Sequence, residues 1–199
     1  MKNMKNMPNV GFVCAGETAL ELSSAICCAG KLIGIMKDAG YSTGGCYSCL
    51  HPYAQRESLR DKLRCLSAIN DVVITIGCEG YRSCDVVPEL TESVCCRSAP
   101  FFACCLSAGA LRADNSELAA HAEGDSAAFS SRAFAGFCGS CLIMNFSDDA
   151  LIASKRLKAL LPSVNFAVGK ASGNDKGAVK QSLDSLVDCF LHRKCEQNH

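Results

Sequence analysis

The chain of 199 residues has no tryptophan, only five prolines and no net charge, since 20 Lys and Arg balance 20 Asp and Glu. A nucleic-acid or acidic-membrane partner needs a basic stripe, and here both signs are scattered along the chain, so neither partner is expected. No apolar run approaches the ~20 residues of a membrane span. The start, Met1-Lys2-Asn3-Met4-Lys5-Asn6, leads into no apolar signal segment, which points to a cytoplasmic protein. There is no internal repeat and no linker. A chain of this length fits one domain spanning 1–199 and can bury about 70% of its unfolded surface. Neither disulfides nor metals are needed to make a core.

What the sequence does have is cysteine, 16 residues of it. Three pairs are adjacent (Cys27-Cys28, Cys95-Cys96, Cys104-Cys105), and others such as Cys14 and Cys141 sit within apolar runs. A small buried hydrophobe is distributed this way, so most are expected to be reduced core thiols. Cys46-x-x-Cys49 and Cys138-x-x-Cys141 have the spacing of zinc half-sites. Both fall in or beside expected strands, where residues i and i+3 point to opposite faces, and no zinc is expected. The four histidines, His51, His121, His192 and His199, lie in separate segments and read as loop or surface residues.

Val10 to Ala15 is a continuous apolar run of strand length, as in a strand covered on both faces. Thr18 to Ala39 reads as a helix closed by Gly40. A strand is expected at Cys46 to Leu50, and Leu59, Leu63 and Leu66 mark a helix beginning after Pro52. Asp71 to Ile76 is a β-branched strand ending in the turn Gly77-Cys78-Glu79-Gly80. Pro88 to Arg97 and Ala99 to Ala110 are expected helices, and 113–128 a polar surface insertion. Cys141 to Phe146 is a further strand, and Asp148 and Asp149 precede a helix at Leu151 to Leu161. A loop at Gly169 to Gly177 leads to a last helix carrying Val179, Leu183, Leu186, Val187 and Phe190. The tail after His192 is polar. Alternating strands and helices specify a three-layer α/β/α domain with a mostly parallel sheet and a core of about 10–192. Ligands in such folds bind beyond the carboxyl ends of the strands. The loops Gly16–Glu17, Gly77–Asp85 and Phe146–Asp149 therefore matter most.

At these loops the run Asp71 to Glu89, with Gly77-Cys78-Glu79-Gly80 followed by Asp85-Val86-Val87-Pro88-Glu89, resembles the molybdopterin adenylyltransferase (MoaB/Mog) family. The family signature there is a strand, Gly-Gly-Thr-Gly, then Asp-Val-Thr-Pro-Glu. Ala99-Pro100-Phe101, Ser131-Arg132-Ala133-Phe134-Ala135-Gly136 and Leu142 to Phe146 resemble further family segments in order. The resemblance implies a molybdopterin-binding fold, a homotrimer, molybdopterin or a related pterin as ligand, and Mg²⁺ and ATP as cofactors for its adenylylation. It implies Asp85 as the catalytic carboxylate, with Asp85 and Glu17 as metal ligands. It also implies Gly16, Glu17, Gly77, Cys78, Glu79, Gly80, Asn145, Ser147 and Asp148 as the nucleotide- or pterin-binding set.

The chain departs from the family at several of these positions. Glu79 stands where the family has Thr, in a loop that works through exposed backbone N–H groups. A carboxylate ~4 Å from a phosphate costs on the order of 1 kcal/mol in water, and more in a shielded site. Tyr53 follows Pro52 where the family has a catalytic Asp, and Ser147-Asp148-Asp149-Ala150 replaces Pro-Gly-Ser-Pro. Two readings of the residues stay open. Gly77–Gly80 is either a phosphate loop or a plain strand-to-helix turn, and Asp85 either holds a metal or caps the helix that Pro88 begins. The function is correspondingly either adenylyl transfer or non-catalytic binding of a pterin, nucleotide or protein partner.

Overall fold

The computed structural model describes residues 7–108 and 132–173. Eleven elements alternate along them: β1 (Asn9–Gly16), α1 (Ala19–Asp38), β2 (Ser42–Leu50), α2 (Arg56–Ile69), β3 (Val72–Ile76) and α3 (Val87–Val94) come first. They are followed by β4 (Arg97–Ser98), α4 (Pro100–Ala108), β5 (Ala135–Cys138), β6 (Cys141–Phe146) and α5 (Ala150–Ala171). The strands form one sheet in the order β2-β1-β3-β6-β5-β4. The first four are mutually parallel, and β5 and β4 add antiparallel at one edge. This is the three-layer, mostly parallel α/β/α sandwich expected from the sequence.

Two apolar layers follow from strand alternation. Val10, Phe12, Cys14, Ile74, Met144 and Phe146 point to the face covered by α1, α4 and α5, where they meet Leu32, Met36, Leu106, Leu157 and Val164. Val13, Ala15, Val73 and Ile143 point to the other face, against Leu59, Leu63 and Leu66 of α2 and Val87 and Leu90 of α3. Both faces of β1, β3 and β6 are thus covered, which is why their sequences read as unbroken apolar runs. By length and composition alone α1 would suffice to cross a membrane, with a mean hydropathy of 1.5, although Glu21, Lys31, Lys37 and Asp38 interrupt it. Its apolar side is occupied within the fold: Ala25, Cys28, Ala29, Leu32 and Met36 are buried.

Asn70 forms an unusual joint between layers. Its Nδ2 donates to the Leu66 carbonyl at 2.8 Å, closing α2, and its side chain lies where β1 and β2 approach one another. A Cβ at Gly44 would sit 1.6 Å from Asn70 Oδ1, and one at Gly11 2.9 Å from Asn70 Nδ2.

Several expectations need correction. The helix begun by Pro88 ends at Val94 rather than Arg97, because Arg97–Ser98 pairs with β5 as a short edge strand. Helix α5 does not stop at Leu161 but runs through Pro162 and Gly169 to Ala171. Its buried stripe of Leu157, Leu160, Val164 and Val168 continues past the proline, and that packing outweighs the single backbone hydrogen bond Pro162 removes. Ser172 and Gly173 form the turn that follows, while 174–177 of the expected loop, the insertion at 113–128 and the last helix lie outside the described residues.

The cysteines within the described residues are free thiols, but they are not uniformly core residues. Cys14, Cys28, Cys49, Cys78 and Cys141 are buried, whereas Cys27, Cys46, Cys65, Cys96 and Cys104 are exposed. The adjacent pair Cys27-Cys28 splits across the helix surface. The opposite-faces argument holds for Cys46, exposed, and Cys49, buried, but fails for the other half-site, because Cys138 and Cys141 are cross-strand partners in the β5–β6 hairpin. Among the described residues no three His, Cys, Asp or Glu side chains are grouped to hold a metal ion.

Candidate functional site

Because β1, β2, β3 and β6 are parallel, the loops at their carboxyl ends gather on one edge of the sheet. These loops are Gly16–Thr18, His51–Gln55, Gly77–Val86 and Ser147–Asp149. Two glycines allow the close approach. A Cβ on Gly16 would lie 2.3 Å from the Leu22 backbone nitrogen, and one on Gly77 would lie 2.4 Å from the Ala15 carbonyl oxygen. Gly77 also takes φ +87°, which an L side chain rarely adopts. Two residues with side chains share the left-handed region here, His51 at φ 57° and Cys78 at φ 52°. Each costs about 1 kcal/mol of backbone strain, the kind that concentrates at functional sites.

A chain of charges stitches the first three loops together. The Glu17 carboxylate accepts from the Tyr53 backbone N–H at 3.1 Å and lies 3.4 Å from His51 Nδ1. The Glu17 N–H donates to Glu21 Oε2 at 3.0 Å, and Glu21 Oε1 accepts from Arg82 Nη1 at 2.8 Å. Arg82 then closes on Asp85: its backbone N–H reaches Oδ2 at 2.8 Å, Nε reaches Oδ2 at 3.2 Å and Nη2 reaches Oδ1 at 2.9 Å. The Arg82 guanidinium holds the Glu21 carboxyl below its ordinary range, and these two carboxylates push Arg82 up in turn. Cys78 is buried among Asp85, Glu21 and Glu17, and burial followed by these negative charges pushes its thiol up to about 12. It is a neutral thiol at physiological pH.

Asp85 is engaged by Arg82 and not by the start of α3. The cap of α3 is Val86, without a side-chain cap bond, so Asp85 does not cap the helix. Its carboxylate, 3% exposed, binds Arg82 three residues earlier and closes the turn. Arg132, from the segment before β5, braces the same turn from outside. Its Nε donates to the Gly80 carbonyl at 2.6 Å, its Nη2 to the Asp85 carbonyl at 2.5 Å, and its Nη1 to Glu89.

The remaining expected residues divide. Asn145 does not reach the mouth: it is fully buried, and its Nδ2 donates to Thr75 Oγ1 at 2.5 Å and Thr91 Oγ1 at 2.9 Å. Its Oδ1 accepts from the Phe134 N–H at 3.2 Å, so it ties β6 to β3 and α3 as a core hub. Ser147 follows at the end of β6 with its Oγ buried and without a hydrogen-bond partner. Asp148 is half-buried, and its carbonyl accepts from Ser24 Oγ at 3.4 Å. Asp149 accepts from the Leu151 and Ile152 N–H groups at 2.9 Å, capping α5. Glu79 does not project into solvent from its loop; it is 9% exposed. The buried guanidinium of Arg156 on α5 has Glu79 and then Asp149 as the carboxylates that favour its charge.

Arg82 and Arg156 were not singled out by sequence. Arg82 stands three residues before Asp85, a spacing that places opposite charges together at a turn. Arg156 is a lone cation on the otherwise apolar stripe Ala153, Leu157 and Leu160, and such a cation signals a buried counter-charge.

The residues do not fit a Mg²⁺ ion in this arrangement. Glu17, Glu21 and Asp85 each spend their oxygens on protein donors, and Asp85 is joined to Glu17 through Arg82 and Glu21 rather than facing a shared ion. Magnesium requires a near-octahedral set of oxygens that are free to turn to it.

No protein-family model and no curated protein matches the sequence. Solved structures do match. The molybdopterin biosynthesis enzyme MoaB from Thermus thermophilus is 20% identical and covers 84% of this chain and 98% of its own, with a TM-score of 0.69. A molybdopterin biosynthesis protein from Mycobacterium abscessus, at 19% identity and the same coverages, gives 0.66. The protein CinA from Thermoplasma acidophilum, described as of unknown function, is 12% identical, covers 80% of this chain and 99% of its own, and gives 0.55. With the sheet order and both helical layers in place, the chain has the fold of the MoaB and Mog molybdopterin biosynthesis proteins, at a sequence identity of about one residue in five.

Proposed function

We propose that this chain works in molybdenum cofactor biosynthesis as a non-catalytic binder of a phosphorylated pterin of the molybdopterin class, at the mouth formed by the strand ends. The observation that carries this reading is the closure of Arg82 on Asp85: the carboxylate to which the resemblance gives the catalytic role is already neutralised by the protein. The Gly77 N–H is spent on the Phe146 carbonyl, which leaves the backbone of Cys78–Gly80 to meet a phosphate, and the exposed rings of Tyr53 and Tyr81 offer flat apolar faces to a pterin. Arg56 and Arg132 lie over those rings at 5.3 and 5.6 Å. The names of the similar structures support the pathway, and the resemblance supports a cytoplasmic homotrimer, for which light scattering at three times the chain mass is the check.

Titration of the full chain with neopterin phosphate, followed by pterin fluorescence, tests the reading. Saturable binding that does not depend on Mg²⁺ is expected, and no binding up to millimolar ligand sinks it. A second reading, adenylyl transfer from Mg-ATP to molybdopterin, is favoured by Asp85 standing in Asp85-Val86-Val87-Pro88-Glu89. Mg-ATP at 100 times its dissociation constant would add about 2.7 kcal/mol to stability and raise the Tm. Formation of an adenylylated pterin would establish that reading and displace the first.

A further inference from the structure

We propose that Cys138 and Cys141, which face each other across the turn of the β5–β6 hairpin, form a dithiol site that reacts with low-molecular-weight disulfides and closes to an intramolecular bridge. The site is independent of the pterin reading, because Cys141 begins β6 and the mouth lies at the other end of that strand.

β5 ends at Cys138 and β6 begins at Cys141, so only Gly139 and Ser140 separate them. Gly139 takes φ +61°, which lets the chain reverse within two residues. The two cysteines, both free thiols, are direct partners in the antiparallel register, so their side chains leave the same face of the sheet. Both meet the apolar layer against α2 and α3. Partners in such a register have α-carbons about 4.5–5.5 Å apart, inside the range of about 4.4–6.8 Å that a disulfide spans. Arg97 holds the turn in shape, its Nη2 donating to the Gly139 carbonyl at 3.0 Å.

Two other thiols lie close by, and the register places them elsewhere. A Cβ on Gly136 would lie 2.9 Å from Cys95 Sγ, so Cys95 sits beside Gly136, two residues before Cys138. Cys96, exposed, donates from its Sγ to the Phe137 carbonyl at 3.2 Å, on the backbone edge of β5. Cys141 is thus the partner that the hairpin itself presents to Cys138.

The order of the steps follows from burial. Cys141 is fully buried, and its thiol is pushed up first by that burial and then by the neighbouring Cys138 and Asp71. Cys138 is half-buried and is the sulfur a reagent reaches. Its thiolate attacks one sulfur of oxidised glutathione, the glutathione S–S bond breaks, and one glutathione leaves from a mixed disulfide on Cys138. Cys141 then attacks the Cys138 sulfur and expels the second glutathione. Each protein thiol gives up a proton and each departing thiolate takes one up. Two protein thiols are oxidised by two electrons, and one disulfide is reduced to two thiols.

Trypsin cuts after Arg132 and Lys155, and the peptide between them carries Cys138 and Cys141 and no other cysteine. The full chain is incubated with oxidised glutathione, quenched in acid, alkylated and digested without reductant. Mass spectrometry should find this peptide unalkylated and two hydrogens lighter than the dithiol. It should exceed its own glutathione adduct about tenfold, because the second step is intramolecular. Cys141→Ser should reverse that ratio by stopping the reaction at the Cys138 adduct. The wild-type digest decides alone where serine in the core unfolds the variant. A peptide alkylated at both cysteines, an adduct without the bridge, or Cys138 bridged to Cys95 or Cys96 overturns the inference.

Discussion

Arg82 and Asp85 close on each other across a single turn, and a buried carboxylate in the mouth is thereby made electrically quiet. Removing the arginine uncovers it. Arg82→Ala should destabilise the fold by about 1–2 kcal/mol, at the low end for a charged hydrogen-bonded pair because the guanidinium is half in water and one backbone bond to Asp85 remains. The same change should raise the affinity for Mg²⁺ above that of the parent. Urea denaturation measures the first and calorimetric titration with MgCl₂ the second. A variant as indifferent to Mg²⁺ as the parent would show that Arg82 is not what keeps metal from Asp85.

Acid should loosen the same lock. The Arg82 guanidinium, with the Glu17 N–H, holds Glu21 below its ordinary value of 4.5. A carboxylate whose folded pKa lies below its unfolded one contributes stability in full above the unfolded value and loses it as the pH falls through the folded one. The denaturation midpoint of the wild type should therefore exceed that of Glu21→Gln at pH 7, and the gap should close below about pH 4. A gap that persists at pH 2.5 assigns the effect to packing.

Cys46, exposed on the edge strand β2, should be an unusually reactive thiol. The neighbouring thiol of buried Cys14 on β1 holds it below its ordinary value of 9.0. The thiolate is the nucleophile, so peptide-resolved alkylation of Cys46 should reach half of its alkaline limit at a lower pH than alkylation of exposed Cys65. Cys14→Ala should move that midpoint upward. A midpoint that Cys14→Ala leaves in place removes the basis of the prediction.

Asn145 should matter for folding and not for ligand. Replacing it by Leu strands Thr75, Thr91 and the Phe134 N–H in the core, at a cost of about 2–4 kcal/mol. Pterin affinity measured well below the Tm should be unchanged. Lost affinity at an unchanged denaturation midpoint would return Asn145 to the site.

The sequence revealed what a periodic pattern can carry. The buried strands β1, β3 and β6 were legible as apolar runs, and the mouth followed from the rule that parallel strands end together. Arg97–Ser98 was not legible, because two polar residues become a strand only through their partners on β5. Pro162 and Gly169 read as breaks because local propensity speaks against them, while the contacts that override it come from elements distant in sequence. At the site, the motif located the loop but not the side-chain directions. Glu79 was expected to face a phosphate, and its burial at 9% exposure is set by the packing of the folded loop, which the motif does not carry.

The Asn70 joint restricts how this sequence can change. With the amide where it is, no side chain fits at Gly44 and hardly one at Gly11, so a substitution at either glycine must displace the Asn70 amide. Shortening Asn70 to alanine would lift that prohibition while giving up the cap on α2. Two glycines and an asparagine, at three separate places in the chain, thus share one small volume, and a glycine pair that looks like slack is the room the Asn70 amide occupies.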